Sequence, residues 1–323
     1  MAPVNPNATH NAAKLLQYLT DIGGHGIVTG QHTQTMAMEE ISEIRRVTGR
    51  EPALCGFELL AYSPNIRYET GDEHCRTEID ENRDTLNHAL AFGRRGGIVT
   101  FTWHWFSPLG GHDKSFYTEK TDFDPSRVLE EGTAERSAFY HDMDVMAARL
   151  QPFMQEDIPV LWRPFHESEG SWFWWGSKGP AVAAGLYRLM YEHFVNVHHL
   201  DNLIWVWNCP LKEGYPGDDV VDVLSRDLYV DKGTKTDYNR EYEELAAVTG
   251  ANKPMALAET GILPDIHMLE KSRVPWCYYM TWSKGFVLTQ DFNSHEALKD
   301  IYGSKYGVVY PANYGCYCDS CKT

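Results

Sequence analysis

Residues 159–208 read PVLWRPFHESEGSWFWWGSKGPAVAAGLYRLMYEHFVNVHHLDNLIWVWN, and they hold one repeating unit of the fold. An apolar run (159–167) ends in His166-Glu167, and an aromatic, glycine-containing stretch follows it. Next comes AVAAGLYRLMYEHFVNVHHL, with apolar residues at helical spacing, and then a second apolar run, NLIWVWN (202–208). Strands that read as continuous apolar runs, separated by amphipathic helices, imply a parallel sheet buried on both faces. The same alternation extends in both directions. Strands are predicted at HGIVTGQH (25–32), PALCGFEL (52–59) and GIVTFTWHW (97–105) before this unit. RDLYVD (226–231), PMALAET (254–260) and PWCYYMTWS (275–283) follow it. Helices are predicted at NATHNAAKLLQYLTDI, at ENRDTLNHALAFGRRGG with its Gly96-Gly97 stop, and at AERSAFYHDMDVMAARLQPFMQ. Only VVDVL (220–224) remains for a helix after the fifth strand, and DIHMLEKSR after the seventh is short. Eight such units predict a closed (β/α)₈ TIM barrel rather than an open doubly wound sheet. The expected organisation is one catalytic barrel domain over 1–323, with a short Cys-rich tail at about 312–323.

Composition narrows the function. The net charge of −16 disfavours nucleic acid and anionic lipid, which call for clustered Lys and Arg. A neutral substrate fits better. There is no apolar run of about 18 residues, so no membrane-spanning helix is expected. The start, MAPVNPNATHNAAKLL, has no apolar export core, so a secreted chain would have lost its signal. Aromatic residues make up 13% of the chain, with 10 Trp and 18 Tyr; most belong to a large core, but several cluster where strands end. Three of the seven cysteines, Cys316, Cys318 and Cys321, crowd the tail. They are read as a source of a disulfide rather than a metal cage, which usually needs four ligands. Cys55, Cys209 and Cys277 lie in apolar runs and read as buried small hydrophobes.

Barrel enzymes carry their chemistry at the C-terminal ends of the strands. The residues ending the eight runs are Gln31-His32, Glu58, His104-Trp105, His166-Glu167, Trp207-Asn208, Asp227 with Tyr229 and Asp231, Glu259, and Trp282. No Ser-His-Asp order, phosphate loop or dinucleotide fingerprint competes, and no cofactor or metal is expected. Glu167 ends the fourth run and Glu259 the seventh. Across an eight-stranded barrel two such carboxylates face each other obliquely, about 5–5.5 Å apart in a retaining glycosidase. One carboxyl must keep a proton for the leaving oxygen; the other must stay ionised to attack the anomeric carbon. The long polar stretch 107–134 follows the third strand and should lie on the same face.

WRPFHESEGSWFWWG (162–176) resembles the acid/base motif of glycoside hydrolase family 26, and ALAETG (256–261) resembles that family's nucleophile motif. GIVTFTWHW, Asp227-Leu228-Tyr229 and MTWS (280–283) fall in the family's order. The resemblance implies a (β/α)₈ fold, a retaining mechanism, Glu167 as acid/base and Glu259 as nucleophile. It implies that His166 orients the acid/base or meets the sugar 2-hydroxyl, and that His104 serves the −1 subsite. Tyr229 is implied to donate to Glu259, Asp227 to support it on the substrate-binding side, Trp282 to floor the −1 sugar and Trp172 to stack at +1. Phe173, Trp174 and Trp175 stay ambiguous, at least one packing under the loop. The expected activity is endo-cleavage of β-1,4-mannosidic bonds in mannan, glucomannan or galactomannan by a secreted, monomeric enzyme. Lichenase or β-1,3-xylanase activity, or a non-catalytic sugar-binding barrel, are the alternatives.

Overall fold

The computed structural model describes residues 1–314. Eight parallel strands form the barrel. They are β1 in two pieces (Ile27–Val28 and Gly30–Thr33), β2 (Leu54–Glu58), β3 (Ile98–Thr102) and β4 (Val160–Trp162), then β5 (Leu203–Asn208), β6 (Val223–Leu228), β7 (Met255–Thr260) and β8 (Trp276–Thr281). Each pairs with the next, and β8 pairs back onto β1 through Val28–Tyr278 and Gln31–Thr281, which closes the ring. A ninth short strand, β9 (Gly307–Val308), adds to β1.

The helices are α1 (His10–Ile22), α2 (Glu39–Thr48), α3 (Glu73–Glu81), α4 (Thr85–Arg94), α5 (Ala134–Gln155), α6 (Pro180–Asn196), α7 (Asn239–Ala246), α8 (Ile266–Ser272) and α9 (His295–Gly303). Their starts carry local signals: Thr9, Asp72, Thr133 and Ser294 each accept a first-turn backbone N–H. None of the helices among the described residues is long and apolar enough to cross a membrane.

Two apolar clusters divide the work. Residues Leu54, Ile98, Leu161, Ile204, Val206, Val223, Ala256, Tyr278 and Met280 fill the barrel interior. Ala12, Leu15, Leu16 and Leu19 of α1 join the same cluster, so α1 closes the N-terminal end of the barrel. Cys55, Phe57, Val99, Phe101, Trp162, Trp205, Leu224 and Leu257 belong to the second cluster, between the barrel and its helices. The split follows the two-residue period of a strand. Gly56 faces inward where a Cβ would collide with the Met280 thioether, so the interior tolerates no side chain there.

Two expectations need correction. VVDVL is not a helix: Val223 and Leu224 enter β6, whose register is set by Val206–Val223 and Trp207–Leu224. Runs of Val favour a pleated, buried strand, and a single 3₁₀ turn (Lys212–Gly214) stands where a helix would be. The sixth strand therefore runs over 223–228 rather than 226–231. The fourth strand stops at Trp162, because Pro164 has no N–H to continue the ladder. Among the described cysteines, Cys55, Cys75, Cys209 and Cys277 are buried free thiols. The expected tail disulfide lies outside the described residues.

Candidate active site

The C-terminal ends of the strands surround a cavity of about 220 Å³. Its lining includes His104, His166, Glu167, Tyr229, Glu259 and Trp282, six of the eight residues that the sequence nominates. Strand phase explains the support beneath them. Continuing the inward-facing positions of β2, β3, β4, β5 and β6 reaches Glu58, Thr102, Arg163, Asn208 and Asp227 in turn.

Glu259 does not follow this phase. On β7, Ala256 and Ala258 face inward and Met255 and Leu257 outward, so simple alternation would send Glu259 toward the helices. Its pairing jumps: Arg226 opposes Leu257, but Asp227 opposes Glu259, which leaves Ala258 unpaired. This bulge resets the phase by one residue and turns Glu259 into the mouth.

Glu167 is aimed by an irregular segment. Phe165 and Glu167 both have φ of 54°, in the left-handed region that non-glycine residues seldom occupy. Neighbours hold the turn. Asn208 Oδ1 accepts from the Glu167 N–H at 2.8 Å, and Trp175 Nε1 donates to the His166 carbonyl at 2.8 Å. Trp174 and Trp175 are buried and serve this packing, while Phe173 lines the cavity.

Arg163 sits under the mouth, almost fully buried. It donates to Asp227 Oδ2 at 2.9 Å, to Thr102 Oγ1 at 2.8 Å, and to Glu259 Oε1. Tyr229 donates its hydroxyl to Glu259 Oε2 at 2.9 Å. Glu167 receives a side-chain bond from the Trp172 indole N–H, at 2.7 Å. Carboxylate oxygens of Glu167, Asp227 and Glu259 lie within 4.8 Å of one another. Such a cluster could draw a metal ion, but Arg163 already supplies a fixed positive charge bonded to two of the three.

The three carboxylates cannot all stay ionised beside one guanidinium. Burial and then the Asp227 charge push Glu167 up to about 7. Burial also raises Glu259, and Asp227 adds to that; the Arg163 charge and hydrogen bond oppose both. Burial raises Glu259 at least as far as Glu167, so the hydrogen-bond donors decide, and they favour the shared proton on Glu167. Glu259 has a cationic and a phenolic donor favouring its anion, whereas Glu167 has one neutral indole.

The histidines divide by partner. His104 Nδ1 lies 2.7 Å from Glu58 Oε2, and the His104 N–H donates to Glu58 Oε1 at 3.0 Å. Burial alone would lower His104, but the charge and hydrogen bond of Glu58 outweigh it and hold the imidazole above its usual value. His166, edge-on to His104 at 4.7 Å, is lowered by burial and then by His104, so it is neutral. It faces the cavity and forms no side-chain hydrogen bond to Glu167; of its two expected roles, the geometry favours meeting the sugar.

Trp282 lines the cavity with His32 stacked on it at 4.0 Å and 19°. Trp172 is 46% exposed at the rim, suited to stacking. Asp227 departs from expectation. Its side chain is 1% exposed and is spent on Arg163 and Asn208, so it cannot touch a sugar. The stretch 107–134 does reach the mouth. Thr118 N–H donates to Trp172 O at 2.8 Å and Trp174 N–H to Phe116 O at 3.1 Å, clipping the β3 loop to the β4 loop. Arg163, Glu58 and Asn208 went unassigned in the sequence; their inward strand phase was the signal available.

Tyr229→Phe tests the Tyr229–Glu259 bond. Charge-assisted bonds contribute about 1.5–3 kcal/mol, so kcat should fall by roughly one to two decades. KM should change less, and the acid limb of the pH profile should move up, because the anion of Glu259 loses a donor. An unmoved limb with unchanged kcat would remove Tyr229 from the site.

A closed barrel whose mouth holds two opposed carboxylates, aromatic rims and neutral donors defines a class built for acid–base chemistry on neutral substrates. The chain belongs to glycosyl hydrolase family 26, whose family model matches residues 4–310. It is 38% identical, over 94% of its length, to a mannan endo-1,4-beta-mannosidase of Thermothelomyces thermophilus, of which it covers 61%. It is 31% identical, over 94% of its length, to mannan endo-1,4-beta-mannosidase A of a Piromyces species, covering 49% of that protein. The chain thus spans about half to three-fifths of the length of these relatives. Among solved structures it resembles the Podospora anserina GH26-CBM35 β-(1,4)-mannanase. The TM-score is 0.86 at 37% identity, covering 97% of this chain and 69% of that one. It also resembles a β-mannanase from a symbiotic protist of the termite Reticulitermes speratus, complexed with gluco-manno-oligosaccharide. There the TM-score is 0.84 at 28% identity, covering 95% and 96%.

Proposed function

We propose that this chain is a retaining endo-β-1,4-mannanase acting on mannan and glucomannan. The observation that carries the reading is the pair Glu167 and Glu259. Their carboxylate oxygens approach within 4.8 Å across the mouth, and they carry opposite sets of hydrogen-bond donors. Retention needs about 5–5.5 Å between the carboxyl groups; a water between them, as inversion requires, needs about 6.5–9.5 Å. In the first step Glu259 attacks the anomeric carbon while Glu167 hands its proton to the leaving glycosidic oxygen. The bond to the leaving chain breaks and a mannosyl ester forms on Glu259. In the second step the ionised Glu167 takes a proton from water, which attacks the same carbon and frees Glu259. Tyr229 and Arg163 hold the nucleophile aimed and charged, and Trp282 and Trp172 offer faces to neighbouring sugars.

Mannose as the preferred sugar rests on the names of the relatives and on His166 standing edge-on to His104 at the cavity wall, donors suited to an axial 2-hydroxyl. Proton NMR of early products should show the β-anomer first, and reducing-sugar release should be greatest on glucomannan. An initial α-anomer would make Glu259 a base at most. Greater release from barley β-glucan or β-1,3-xylan would overturn the substrate. We also propose an exported, monomeric enzyme, because the polymer lies outside cells and both carboxylates come from one chain. Recovery from culture fluid and light scattering test those points.

A further inference from the structure

We infer that the outer helical layer carries a surface site for a divalent transition metal, built from Asp144 of α5, His193 of α6 and His198 of the following loop. Asp144 Oδ1 lies 2.6 Å from His193 Nε2 and 2.7 Å from His198 Nε2, and the two nitrogens are 3.2 Å apart. Three donor atoms thus converge from two helices and a loop, 49 to 54 residues apart in sequence.

The two edges to Asp144 are of hydrogen-bond length, but the close approach of the two ring nitrogens is what a shared metal would require. Two Nε2–H groups would crowd their hydrogens onto one oxygen, with the nitrogens facing each other. A tetrahedral zinc with bonds of about 2.0–2.1 Å has ligand–ligand edges of about 3.3 Å, close to the nitrogen–nitrogen separation. The shorter edges to Asp144 open by a small rotation of that side chain, which is 54% exposed. The imidazoles, by contrast, are held. His193 stands edge-on to Tyr140 at 4.8 Å, and His198 lies perpendicular to Phe194 at 6.2 Å. Gln151 Nε2 donates to the His198 carbonyl at 3.0 Å. Two imidazoles and one carboxylate select zinc, copper, nickel or cobalt over magnesium or calcium, and three protein ligands leave a fourth position for water.

His193 is in the last turn of α6, and His198 lies in the loop that leads into β5. That puts the site at the N-terminal side of the barrel, away from the mouth. Metal there should stabilise the fold without changing kcat.

The test uses tag-free, chelator-treated protein titrated with ZnCl₂ and CoCl₂. One equivalent of zinc should bind, with a rise in Tm of roughly 5 °C at a hundredfold excess over Kd. Cobalt should show visible d–d absorption without thiolate charge transfer, which separates this site from the cysteine tail. His193→Ala should abolish binding, and Cys318→Ser should keep it. If His193→Ala fails to fold in chelator, His198→Gln serves in its place. Absence of zinc binding would overturn the site, reducing the cluster to a hydrogen-bonded Asp–His pair. So would zinc binding that survives both histidine variants or is lost with Cys318→Ser.

Discussion

Glu167→Ala is expected to lower kcat on mannan by about two to four decades, the usual contribution of a positioned general acid and base. The loss should depend on the leaving group. An aryl mannoside with an acidic phenol needs no proton to depart, so its glycosylation step should survive and the mannosyl ester should accumulate. Azide, small and already anionic, needs no base and should restore turnover by giving a β-mannosyl azide. The pH profile provides a second check. Glu167 must be protonated to act first, and burial together with Asp227 pushes it up to about 7. In the parent, kcat/KM should therefore fall as pH rises through that value; in the variant this limb should vanish. Full activity on mannan, or no azide adduct, would sink the assignment.

Arg163→Met should produce the largest loss of stability. Arg163 is buried and bonded to both Asp227 and Glu259. Removing one partner of a buried ion pair costs about 3–5 kcal/mol, because the remaining charge has neither water nor counter-ion. Both carboxyls lose the cation that opposes the effect of burial, so both rise further. The destabilisation should then be greatest at neutral and alkaline pH and should shrink in acid, where the carboxyls are already protonated. The acid limb of kcat/KM should move up as well, since Glu259 ionises later. Arg163→Lys keeps the charge but not the fork that reaches both carboxylates at once, so it should recover stability only in part. Thermal unfolding across pH, with the kinetic profile, decides the matter. A variant as stable as the parent with an unmoved acid limb would show that Arg163 is not the counter-ion.

The barrel itself was legible from the sequence because burial on both faces of a strand requires continuous apolar runs. All eight runs became strands. Glu167 and Tyr229 could be chosen because they follow apolar runs at positions where barrels carry chemistry, within motifs that resemble a family. The α1 cap and α5 were legible from helical spacing. The sixth strand was misplaced by three residues, because its mouth half is charged and its start is a run of valines. What sets its limits is the register against β5, a pairing between segments that no local window contains.

What tertiary structure alone decided is how the carboxylates point and where their protons reside. A strand read by alternation sends Glu259 outward with Met255 and Leu257; only the unpaired Ala258, forced by pairing with β6, turns it inward. Glu167 reaches the mouth through two left-handed residues that Asn208 and Trp175 hold from outside the segment. Asp227, expected to support Glu259 from the substrate-binding side, does so from beneath the mouth, through Arg163. Sequence specifies which side chains can carry a charge. Whether a given carboxyl keeps its proton depends on burial, on distance to a cation and on the donors it receives, and these are set by residues as far apart as Arg163 and Glu259, 96 positions along the chain.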